Sequence, residues 1–115
     1  MRTVCEMLTT DSERSVAVDA GSNISFSCRS EHHYSNSHVH WSYMETDTNT
    51  KPVIIHDGKR LHPKYASRHN VRYDPTSRES TLTINHAKAN DEGVYMCMES
   101  VSATDGIDFR LRVVG

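Results

Sequence analysis

Apolar residues in this chain recur at every second position in short runs, and polar turns break the runs at spacings of roughly eight to twelve residues. Such alternation predicts strands with one buried face, and helical periodicity is nearly absent. Val16 and Val18 alternate with Ser15, Ala17 and Asp19, and Ile24, Phe26 and Cys28 with Asn23, Ser25 and Ser27. Val39, Trp41 and Tyr43 repeat the pattern, and Val53-Ile54-Ile55-His56 leads into Asp57-Gly58, a pair that tolerates the positive φ of a hairpin turn. Val71 with Tyr73, Leu82 with Ile84, the stretch Val94 to Met98 and the stretch Ile107 to Val114 complete the set. No repeat, linker or low-complexity segment interrupts it, so residues 1–115 read as one antiparallel all-β domain.

A length of 115 residues is enough for a single packed core, and 36% hydrophobic with 24% charged residues is a globular balance. Thirteen Lys and Arg face fifteen Asp and Glu, a net charge of −2, which provides no basic field for nucleic acid or anionic lipid. No apolar run approaches the roughly 20 residues that cross a bilayer. Met1 to Glu6 lacks the apolar stretch of a signal peptide, so the sequence reads as intracellular or as a trimmed part of a longer precursor. Eight histidines are the unusual count, and their protonation would make a negative domain positive.

Cys28 and Cys97 each sit centrally in a predicted strand with side chains inward, and Trp41 sits inward on the strand after Cys28. A disulfide joining two facing sheets needs that arrangement, with a large flat ring beside it. Closing a loop of about 70 residues would restrict the unfolded chain by roughly 4 kcal/mol. Tyr95, two residues before Cys97, can fold its hydroxyl back onto the preceding turn, and Asp91 is placed to pair with an arginine, Arg68 in preference to Arg72. Cys28, Trp41, Leu82, Asp91, Gly93, Tyr95 and Cys97, in this order, resemble the immunoglobulin superfamily over nearly the whole chain.

The stretch between Trp41 and Cys97 is long enough for five strands, which is similar to the variable-type (V-set) subtype. The resemblance implies a Greek-key β-sandwich of about nine strands in two antiparallel sheets joined by Cys28–Cys97. One departure stands out. Antigen-receptor variable domains carry Phe-Gly-x-Gly in the last strand, and here Phe109 is followed by Arg110-Leu111-Arg112. The chain is closer in this respect to an adhesion or immune co-receptor, or to an unrearranged early-chordate receptor.

Alternation makes the outer faces legible. With Trp41 and Cys97 inward, His38, His40, Ser42 and Met44 of strand C and Met96 and Met98 of strand F turn outward, beside Asp108, Arg110 and Arg112 of strand G. Strand C′ turns either Val53 and Ile55 or Ile54 outward, one residue of slip deciding which, and we place Ile55 in the face. An apolar patch with a charged rim reads as a protein-binding surface, unless the C–C′ or F–G loop covers it. The opposite sheet turns Asn23, Ser25, Ser27, Thr81, Thr83 and Asn85 outward. Asn23-Ile24-Ser25 is an N-glycosylation acceptor on the solvent face of strand B, where a glycan would block that sheet.

His32, His33, His38 and His40 crowd the B–C loop and strand C and form the alternative reading, a divalent-metal or ligand site, although Ser35, Asn36 and Ser37 add no strong ligand. Cys5 is the odd cysteine, either a buried first-strand residue or a bridge to another chain. No phosphate loop and no nucleophile with matching histidine and carboxylate is present, so neither catalysis nor a cofactor is expected. The sequence thus predicts an extracellular recognition module, secreted or part of a membrane protein. It would bind a protein partner, a second copy included, through the GFCC′ face and the B–C and F–G loops. A structural spacer domain is the third reading.

Overall fold

The structure, a computed structural model, describes residues 13–29, 39–45, 51–99 and 107–115. Eight strands lie in these segments: β1 (Glu13–Asp19), β2 (Ile24–Arg29), β3 (Val39–Met44), β4 (Val53–His56), β5 (His69–Asp74), β6 (Glu79–Ile84), β7 (Gly93–Glu99) and β8 (Ile107–Val114). They form a five-stranded sheet in the order β1-β8-β7-β3-β4 and a three-stranded sheet in the order β2-β6-β5. Apolar alternation puts one face of each sheet inward, and two such faces can be dried only against each other. The core between them holds Phe26 and Leu82 from the smaller sheet and Trp41, Ile55, Tyr95, Phe109 and Leu111 from the larger.

Two features differ from the sequence expectation. β1 runs parallel to β8, Glu13 opposite Asp108 and Asp19 opposite Val114, so it belongs to the larger sheet and the pairing is not wholly antiparallel. Between β4 and β5 the described residues form no further strand. The Asp57 carboxylate accepts the N–H groups of Lys59 and Arg60 at 2.9 and 2.8 Å, and Gly58 takes a φ of 97°. This tight turn returns the chain for a single bridge, His56 to Leu61, before it crosses through the 3₁₀ turn Pro63–Tyr65 to β5 in the other sheet.

Cys28 of β2 and Cys97 of β7 join the two sheets by a disulfide, with Cα atoms 6.5 Å apart. The fully buried indole of Trp41 donates its Nε1–H to Ser80 Oγ of β6 at 2.9 Å, a second polar tie between the sheets. A buried donor stripped of its acceptor keeps its desolvation penalty. Ser80→Ala should therefore lower stability by about 1–3 kcal/mol, read from the midpoint of urea unfolding. An unchanged midpoint would show that the indole finds another acceptor.

At the base of the sandwich the Arg68 guanidinium meets the Asp91 carboxylate with both nitrogens, at 2.8 and 2.9 Å, and Asp91 also accepts the Lys88 N–H at 2.8 Å. The Tyr95 hydroxyl donates to the carbonyl of Asp91, closing the corner. Burial pushes the Tyr95 hydroxyl far above the usual phenol range, so it remains a donor at any physiological pH. Arg72, the other arginine weighed for Asp91, lies exposed on β5 opposite Thr81.

Candidate partner-binding face

The outward side of the five-stranded sheet is built from register. His40 of β3 lies opposite Met98 of β7, Ser42 opposite Met96, and Met44 opposite Val94. On the far side of β7, Met96 faces Asp108 and Val94 faces Arg110, both from β8. Because Trp41 and Cys97 are fully buried on the other side, strict alternation turns these rows outward. Ser42 and Val94 are nonetheless buried, whereas His40, Met44, Met96, Met98 and Asp108 are half-buried and Arg110 and Arg112 exposed. The face therefore has a sulfur-rich centre, with charge along the β8 flank.

Ile55 does not belong to it. A register irregularity between Trp41 and Ser42 pairs Trp41 with His56 and Ser42 with Ile54, and Ile55 drops wholly into the core. Ile54, opposite Ser42, instead stands 49% exposed and extends the apolar strip to the sheet edge, while Val53, 39% exposed, lies opposite the core-packed Tyr43. The three consecutive apolar residues of β4 show no alternation, so sequence alone left the phase open. His38, His32 and His33 lie outside the described residues, as does Cys5.

His56 is the member of this neighbourhood that the sequence reading missed, and Ile54 is the clue, since residues two apart on a strand share a face. Burial lowers the His56 imidazole below its ordinary 6.5; Asp57 pulls it partly back up, and His40 lowers it slightly further. His56 Nδ1 accepts the Gly58 N–H at 3.0 Å, which also requires an unprotonated nitrogen. His40, opposite Met98, and the unprotonated His56 thus border the apolar strip. Among the described residues, no three His, Cys, Asp or Glu side chains converge as metal ligands would.

The opposite sheet has another chemistry. Ser25 Oγ meets Thr83 Oγ1 at 2.9 Å and Ser27 Oγ meets Thr81 Oγ1 at 3.0 Å, a hydroxyl surface with its hydrogen bonds already made. Asn23 is not on that surface. It lies exposed in the turn before β2, at the end of the sandwich where β1 finishes and β2 begins.

Comparison with known proteins agrees with this geometry. The family model described as "Immunoglobulin V-set domain" matches residues 11–114. Among solved structures, the first Ig domain of the mouse polymeric immunoglobulin receptor superposes with a TM-score of 0.71 at 18% identity, over 90% of each chain. At that identity the likeness is one of fold. V-set domains are commonly extracellular recognition modules and typically non-enzymatic, and the inter-sheet disulfide fits an oxidising compartment. With the sandwich, the Cys28–Cys97 bridge and the match over nearly its whole length, this chain belongs to the immunoglobulin V-set family.

Proposed function

We propose that the domain is an extracellular receptor or adhesion module that binds a protein partner, a second copy of itself included, through the outer face of its five-stranded sheet. The observation that supports this reading is the contrast between the two sheets. One carries Met44, Met96, Met98 and Ile54 on a single face, and the other carries self-satisfied hydroxyls. Methionines adapt to a partner's contour, and a dry centre with Asp108, Arg110 and Arg112 alongside has the anatomy of an interface. Recognition rather than catalysis is the proposed task, and no cofactor enters it.

The experiment is sedimentation velocity over a wide concentration range, in the presence and absence of reductant, on the wild type and on Met96→Glu. A charge at the centre of the contact should cost about 2 kcal/mol or more, roughly thirtyfold in Kd, with thermal unfolding unchanged. A dimer that survives Met96→Glu would place the contact elsewhere, and one lost only with reductant would shift it to Cys5. For a strict monomer, the multimerised domain is applied to cell surfaces. Binding should then fall with the same substitution, and unaltered binding would rule out the face.

A further inference from the structure

At the end of the sandwich where β1 and β8 finish, an open depression of about 620 Å³ is lined by Ala17, Val18, Ser22, Asn23, His86 and Val114. Its lining sets the apolar Ala17, Val18 and Val114 beside the polar Asp19, Ser22, Asn23 and His86, and Val114 is 44% exposed there. Asn23 stands at the rim as the first residue of the acceptor sequence Asn23-Ile24-Ser25. Its amide is not free to turn, because Oδ1 accepts the N–H of His86 at 3.0 Å, and His86 holds a left-handed φ of 55° in the turn after β6. With Oδ1 fixed on that turn, Nδ2 is the arm left for substitution.

We propose that Asn23 carries an N-linked glycan whose first N-acetylglucosamine lies on the shelf made by Ala17, Val18 and Val114. In the transfer, Asn23 Nδ2 bonds to C1 of the N-acetylglucosamine of a lipid-pyrophosphate-linked oligosaccharide. The C1–O bond to the pyrophosphate breaks, that oxygen leaves with the electron pair, and one Nδ2 proton passes to a base of the transferase. Ser25, the third residue of the acceptor, is engaged with Thr83 across β2 and β6 once the domain has folded, so the transfer takes place before those strands pair. The sugar's apolar ring face covers the exposed Val114, while its hydroxyls reach the Asp19 and His86 side of the shelf. The glycan occupies an end of the domain and the β1–β8 corner of the larger sheet, leaving the face of the smaller sheet open. It therefore does not shield the hydroxyl-lined sheet, as a site on the face of strand B would.

The test begins with secretion of the chain from cultured animal cells and intact mass before and after peptide N-glycosidase treatment. A glycan-sized mass should be present, should disappear in Asn23→Gln and Ser25→Ala, and should persist in Ser25→Thr. Ser25→Ala guards against misfolding of the asparagine variant, since it preserves the Asn23–His86 bond. Hydrogen exchange is then compared between protein trimmed to a single sugar and the Ser25→Ala form. The amides of Ala20 and Gly21, which bond to Val114 and Ala87 carbonyls beside the shelf, should exchange severalfold more slowly under the sugar. Absence of the mass in secreted protein overturns the site. A glycan that leaves those amides unchanged overturns its seat on the shelf.

Discussion

Replacing Phe109 by alanine should remove about 3–5 kcal/mol of stability, enough to leave the domain partly unfolded near physiological temperature. Phe109 is 3% exposed and fills the space between the sheets. Its ring stacks on Phe26 at 4.9 Å and faces Trp41 at 6.0 Å, and the Arg14 guanidinium of the neighbouring strand lies 6.0 Å above it. Phe26 in turn contacts Tyr95 at 5.4 Å, so the deletion would unsupport a chain of rings that includes the disulfide's neighbours. A cavity in the middle of rigid aromatics cannot collapse well, which puts the cost high in the range for such truncations. Phe109→Leu keeps most of the volume and should recover most of the loss. Thermal unfolding of the three proteins decides it: a loss under about 2 kcal/mol for the alanine variant would mean that the ring is not the plug.

Asp91→Ala should cost about 3 kcal/mol, the lower end of the range for removing one partner of a buried ion pair. The lower end applies because the Arg68 side chain is 23% exposed and keeps hydrogen bonds to the carbonyls of Asn85 and His86. The pair also sets part of the domain's acid sensitivity. Burial pushes the Asp91 carboxyl up, but the hydrogen bonds from Arg68 and Lys88 outweigh it and hold the group below its ordinary 3.8. His69, buried on β5 beside the Tyr65 ring, is lowered from 6.5 by burial, which outweighs the upward pull of Asp91; Arg68 lowers it slightly and a bond to the Tyr65 backbone raises it slightly.

Both folded-state values lie below the unfolded ones, so in each window the unfolded chain binds more protons and stability rises with pH. The His69 contribution is complete above about pH 6.5 and is lost as pH falls through its folded value. The Asp91 contribution is complete above about pH 4 and is lost below that. Urea titrations from pH 7.5 to pH 2.5 should show two declines in the wild type. Asp91→Ala should start lower and lose the more acidic decline, keeping the one near neutrality, because His69 is still buried and still faces Arg68. A variant that retained both declines would assign the lower one to other carboxylates.

The sequence disclosed whatever alternation or a chemically singular side chain could mark. Cys28, Trp41 and Cys97 each sit inward on cleanly alternating strands, and Arg68, preferred to Arg72 as the partner of Asp91, is the arginine that meets it. The partner of β1 was not disclosed. Val16 and Val18 would alternate in the same way beside β2 or beside β8, and local pattern does not encode which sheet edge a terminal strand joins. The candidate face was legible along β3, β7 and β8, where inward anchors fix the phase. It was illegible along β4, where an irregular register and an unbroken apolar run hide it, at the cost of placing Ile55 rather than Ile54 in the face and overlooking His56. Ser80 escaped notice because a serine in a strand carries no sign that an indole from the other sheet needs its oxygen.

The parallel alignment of β1 and β8 has a mechanical meaning. A pull applied at Glu13 against one at Val114 acts at opposite ends of the pair and runs along the strands. Seven registered residue pairs, spread over roughly 20 Å of strand, are therefore strained together rather than peeled one at a time. Tension delivered through these two strands meets the domain in its resistant direction. Among the described residues, the edge strands β4 and β5 lie off that line of force, whereas β1, itself at an edge, carries it.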